Sequence, residues 1–123
     1  MSRPGFVSTA VALAFLATPA LAGSGTFKGA SGHTTSGSVT VTEAGGTLTV
    51  KLGSNFSLDN APDPYVALGN GASPLKGGLI AILKNKKGGQ SYSIKATSAL
   101  SKATHVVIWC KKYSVPLGVA KVK

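Results

Sequence analysis

The sequence predicts an all-β fold, a single-domain antiparallel β-sandwich of about seven or eight short strands between residues 23 and 123. Three observations carry this expectation. Apolar and polar residues alternate in short runs, which places every second side chain on one face of a strand. Glycine, proline, asparagine and serine separate these runs at roughly the spacing of sandwiches and barrels. No stretch keeps the i, i+3, i+4 apolar spacing of a long helix, which disfavours a parallel sheet with crossover helices.

The clearest element is a hairpin. In SVTVTE (38–43) Val39 and Val41 alternate with Ser38, Thr40 and Thr42, and in TLTVKL (47–52) Leu48, Val50 and Leu52 alternate with Thr47, Thr49 and Lys51. Ala44-Gly45-Gly46 joins them, its glycines free to take the positive φ that a tight turn needs. Further strands are expected at 65–69 (YVALG), 78–83 (GLIAIL), 91–96 (SYSIKA), 104–111 (THVVIWCK) and 113–121 (YSVPLGVAK). APDP (61–64) and LKNKKGGQ (83–90) are turn chemistry. Pro116 has no N–H for the ladder, so the last strand is an edge or is bulged there.

Residues 1–22 carry the pattern of a secretory signal peptide: Arg3 in a short n-region, the apolar run VALAFLA at 11–17, Pro19, and the small-residue site Ala20-Leu21-Ala22. Removal leaves 23–123 as one domain, and an exported protein, periplasmic or secreted, is expected. The apolar run is shorter than the ~18 residues of a membrane helix and no later run approaches that length, so no membrane span is expected after signal removal. Arg3 is one of 13 basic residues; without it 12 stand against 3 acids, a net charge of +9. That bias favours an anionic envelope polymer or surface, with attraction screened over ~8 Å at physiological ionic strength. The lysines are scattered over loops and strand ends without interleaved aromatics, so no nucleic-acid partner is expected and much of the charge reads as solvated surface.

Cys110 is the only cysteine and cannot close an intrachain disulfide. In an oxidising compartment it is buried and inert, joined to another molecule, or reactive. It stands in HVVIWCKKYSVPLG (105–118) beside His105, Trp109, Lys111 and Lys112. Strand parity puts Val106, Ile108 and Cys110 on one face and His105, Val107 and Trp109 on the other, which separates His105 from the thiol. His33 is then the histidine left to reach it across the fold.

The apolar face-mates of Cys110 favour a structural thiol, whereas Lys111 and Lys112 favour thiolate wherever the sulfur meets solvent. Trp109 reads first as core and second as a stacking platform for a cofactor. Asp63, between Pro62 and Pro64, reads first as a turn former. The chain contains no CxxC, HxxxH or HExxH spacing, so no metal site is expected. A copper centre of cupredoxin type would lack its axial methionine, since Met1 is the only one. Three acids without a paired-carboxylate or GxSxG pattern leave no hydrolase machinery.

Taken together, several segments resemble the DM-thirteen domain, often called the electron-transfer DM domain. The segments are Phe27 with His33-Thr34-Thr35-Ser36-Gly37 and the Val39/Val41 strand, Leu48 to Phe56, Pro62-Asp63-Pro64-Tyr65-Val66-Ala67-Leu68-Gly69, and Val106 to Val115 with Leu117-Gly118. The pieces HxxSG, PDxYVxLG and IWCKxYxVxxG are short, but their order and spacing extend over about 25 to 121. The resemblance implies a compact extracytoplasmic β-sandwich with a redox or electron-transfer role proposed around its cysteine. That cysteine corresponds to Cys110, the family's histidine to His33 and its PD motif to Pro62-Asp63. Tyr113 to Gly118 departs from the family, which more often has phenylalanines before the valine and the glycine. The family occurs elsewhere beside DOMON and cytochrome b-type modules; this chain carries neither, so its redox partner is expected to be a separate protein.

Two functions follow. In the first, Cys110 is a redox thiol with His33 as neighbour, and Trp109, Asp63 and Tyr65 are candidates for contact with a cofactor. The sequence itself requires no cofactor, with haem or copper as lesser alternatives. In the second, Cys110 is structural and the domain is a non-catalytic basic module that binds an anionic polymer or partner protein.

Overall fold

The computed structural model describes residues 18–123 and is built almost wholly of antiparallel strands. In chain order they are β1 (Ala20–Thr26), β2 (Lys28–Gly29), β3 (Thr35–Ser36), β4 (Ser38–Ala44), β5 (Thr47–Leu52), β6 (Ser57–Leu58), β7 (Pro64–Gly69), β8 (Pro74–Ile82), β9 (Gln90–Lys95), β10 (His105–Cys110) and β11 (Val115–Lys121). One short helix, α1 (Ser98–Ser101), lies between β9 and β10, with Thr97 as N-cap accepting from the Leu100 N–H. A four-stranded sheet ordered β1-β4-β5-β9 faces a five-stranded sheet ordered β2-β11-β10-β7-β8, and β3 pairs with β6 apart from both.

The all-β antiparallel sandwich is therefore as expected, and all seven strands foreseen correspond to β4, β5, β7, β8, β9, β10 and β11. The number of strands is larger. Three of the added strands, β2, β3 and β6, have two residues each, too few to show a period; the fourth is β1. The expected cleavage point after Ala22 falls inside β1, at the register shift between Leu21 and Gly23 where the strand pairs with β4. Arg3 and the apolar run at 11–17 lie outside the described residues.

The β4–β5 hairpin forms with Ala44 opposite Thr47 and both loop glycines at positive φ, 55° and 79°. Its inward residues Val39, Val41, Leu48, Val50 and Leu52 are buried, the polar residues between them are not, and each apolar side chain so buried contributes about 1.5–3 kcal/mol. Opposite them lie Val66 and Leu68 of β7, Val106, Ile108 and Cys110 of β10, and Leu117 and Ala120 of β11. Phe27 and Phe56 meet edge to face, with ring centres 5.5 Å apart, and belong to the same core.

β1 also closes one corner between the sheets, donating from the Ser24 N–H to the Val122 carbonyl. Glycine is required there by proximity: a Cβ on Gly25 would overlap the Lys121 carbonyl oxygen. Among the described residues no helix is long and apolar enough to cross a membrane.

Candidate functional site

β10 is the middle strand of its sheet, paired without interruption to β7 from His105–Gly69 to Cys110–Pro64. The regular pairing preserves side-chain parity, so Val106, Ile108 and Cys110 enter the core while His105 and Trp109 lie on the outer face. His105 and Cys110 are consequently at opposite ends of the strand and on opposite faces. The Cys110 side chain is 1% exposed and sits within the main apolar cluster.

Immediately after Cys110 the chain leaves the core: Lys111, Lys112, Tyr113 and Ser114 are all exposed and form a turn, closed by Ser114 at a φ of 53°. The Tyr113 N–H points back at the Cys110 Sγ, 3.4 Å away. The Lys111 N–H donates to the Asp63 carbonyl at 3.1 Å. Asp63 itself has a φ of 52°, a conformation that aspartate tolerates better than most residues. Between its two prolines it shapes the start of β7, and its backbone anchors the turn that covers the thiol.

Tyr65 and Trp109 are cross-strand neighbours on the outer face, both partly exposed, with Pro116 paired to Trp109 on the far side. The Lys111 Nζ lies 5.2 Å from the centre of the Tyr65 ring and the Lys112 Nζ 5.3 Å from that of Tyr113, distances suited to cation–π attraction. Trp109 thus faces away from the core side of β10 that carries Cys110.

His33 is held by a different partner. Its Nδ1 is 2.9 Å from the Asp59 Oδ1, and the other Asp59 oxygen accepts the Thr34 N–H at 2.9 Å. The Thr34 N–H, followed by the His33 ring, holds the Asp59 carboxyl below its ordinary value. Among the described residues His33 makes no hydrogen bond to Cys110.

The loop bearing His33 is fixed against β11. Pro116 stands at a bulge, as its missing N–H foreshadowed: Ile108 pairs with Gly118 and Trp109 with Pro116, leaving Leu117 extra. The Leu117 carbonyl accepts from the Ala30 N–H at 3.1 Å and the Thr35 hydroxyl at 2.8 Å, and the Pro116 carbonyl accepts from Ser31 at 2.5 Å. β11 is not an edge, since β2 pairs on its other side.

Sequence reasoning missed two features. Asp59 was one of three acids with no local pattern to mark it as the partner of His33, 26 residues away. The Tyr113 N–H depends on the turn geometry that follows β10. Among the described residues no three His, Cys, Asp or Glu side chains gather closely enough to hold a metal ion. A cavity of about 460 Å³ lies by the β4–β5 turn, α1 and Lys123.

An antiparallel sandwich with one buried thiol at the end of a central strand defines the class, a single-cysteine β-domain. A family profile described as Electron transfer DM13 matches residues 26–122, and the chain belongs to that family. No curated protein and no solved structure matches it.

Proposed function

We propose that this protein is an exported electron-transfer domain in which Cys110 is the redox group. Family membership supports the electron-transfer role, and the observation that carries the assignment to Cys110 is its place directly behind an exposed turn whose Tyr113 N–H is aimed at the sulfur. That N–H gives negative charge developing on Sγ a donor, and Lys111 and Lys112 add positive charge to the same turn.

With a single cysteine, the two-electron step is exchange with a disulfide on a separate redox partner. The Cys110 thiolate attacks one partner sulfur, a Cys110–partner bond replaces the partner's own S–S bond, and the other partner sulfur leaves as thiolate. A thiol of a second, dithiol partner then attacks the Cys110 sulfur and releases the first partner as a dithiol. The second partner's other thiol closes that partner's own disulfide and frees Cys110 as thiolate, so two electrons pass from the second partner to the first. The Lys111–Ser114 turn opens to admit the partner, a local event that costs less than global unfolding. His33, held by Asp59, stands in the loop braced against β11. Incubation of the native protein with a small disulfide, followed by intact-mass measurement, tests this reading. One adduct on the wild type and none on Cys110→Ser is expected; an adduct that appears only in denaturant contradicts it.

The 1% exposure of Cys110 favours a second reading, in which the thiol is structural and the basic surface binds an anionic envelope polymer. Under it, retention on an anionic matrix falls steeply with salt and is unchanged by Cys110→Ser.

A further inference from the structure

We infer that the outer face of the five-stranded sheet carries an oxyanion site formed by Lys28, His105 and Lys121, suited to a phosphate or sulfate group. A cavity of about 290 Å³ opens there, lined by these three residues with Thr26, Gly29 and Val119. Strand pairing puts the three basic side chains on one face: Lys28 is opposite Val119, Val119 is opposite Val107, and His105 is opposite Lys121. Lys121 and His105 are thus direct cross-strand neighbours, and Lys28 stands one row away across Val119. Lysines placed this way repel one another unless an anion lies between them.

No acidic residue lines the cavity. The three acids of the sequence lie elsewhere: Glu43 beside the larger cavity, Asp59 bonded to His33, and Asp63 in the turn before β7. The His105 ring is oriented by a contact of 2.7 Å between its Nδ1 and the Thr104 hydroxyl, which leaves Nε2 for a ligand. With the Thr104 hydroxyl donating to Nδ1, Nε2 carries the ring hydrogen and joins the two ammonium groups in a set of donors that matches a tetrahedral oxyanion. Val119, opposite Lys28 and two residues from Lys121, supplies an apolar wall among the basic side chains.

This site is separate from Cys110, about 16 Å along β10 at the other end and on the opposite face. Its occupancy is independent of thiol chemistry. The test is titration of the full chain with sodium phosphate, and separately with vesicles of phosphatidylglycerol in phosphatidylcholine, at constant ionic strength, followed by amide NMR shifts. Shifts centred on Thr26, Lys28, His105 and Lys121 are expected, with affinity for the ligand about tenfold weaker in Lys28→Gln/Lys121→Gln. Lys51→Gln/Lys95→Gln, which removes the same charge from the other sheet, is expected to change affinity less than about twofold. Saturation by phosphate alone assigns the site to a free oxyanion, and response to vesicles alone assigns it to one borne on lipid. Shifts spread over all lysines, equal weakening in both double variants, or no response to either probe overturns the inference. The spectrum of each variant reports whether it remains folded, and Cys110→Ser is expected to bind as the wild type does.

Discussion

At the scale of single residues, Cys110 and Asp59 have contrasting environments. The sulfur is enclosed by apolar side chains and has one backbone N–H aimed at it, so the proposed exchange requires the neighbouring turn to open. Asp59 is partly exposed and draws its stabilisation from the Thr34 N–H and the His33 ring, both of which favour the ionised carboxylate. Because its folded value lies below the ordinary 3.8, the carboxylate's contribution is present above 3.8 and disappears as pH falls through the lowered value. Asp59→Asn is therefore expected to lower the melting temperature at pH 6, with the difference from wild type shrinking as the acid limb is entered. A difference that grows on acidification contradicts this sign.

At the scale of elements, the bulge in β11 links the basic end of the chain to the loop that carries His33. Pro116 breaks the ladder, and the carbonyls of Pro116 and Leu117 are taken up by Ser31, Ala30 and Thr35. Gly118 permits this approach, since a Cβ there would stand 2.5 Å from the Thr35 Cγ2. Gly118→Ala is expected to cost about 1–3 kcal/mol in urea unfolding and to perturb the His33 and Thr34 amides. An unchanged midpoint would show that the loop is not braced by this contact. Pro116 was legible as an edge or a bulge, and the structure selects the bulge because β2 covers the far side of β11. The residues of β2 are only Lys28 and Gly29, so nothing in their own pattern announced a strand.

At the scale of the whole molecule, the sandwich was legible because its long strands alternate cleanly and its central hairpin turns on two glycines. β1 was not, because Ala20-Leu21-Ala22 reads as a cleavage pattern and its pairing partner is in β4. For the candidate site, β10 parity correctly separated His105 from Cys110, whereas the bonding of His33 to Asp59 depended on loops brought together by the fold. The net charge of +10 predicts that retention of the full chain on an anionic matrix drops steeply between 50 and 200 mM salt, about the range in which multiple lysine contacts are lost. Salt-independent elution would contradict a role for that charge in binding.

The proposed exchange requires that the Cys110 thiol be reached by opening the Lys111–Ser114 turn while the sandwich stays folded. The most direct measurement is the rate of Cys110 modification by a coloured thiol reagent across a series of low urea concentrations. Local opening exposes little surface, so modification is expected at zero urea with a rate nearly independent of urea below the unfolding transition. A rate that rises with the full denaturant dependence of global unfolding, and vanishes on extrapolation to water, would contradict it and leave Cys110 as a structural core residue.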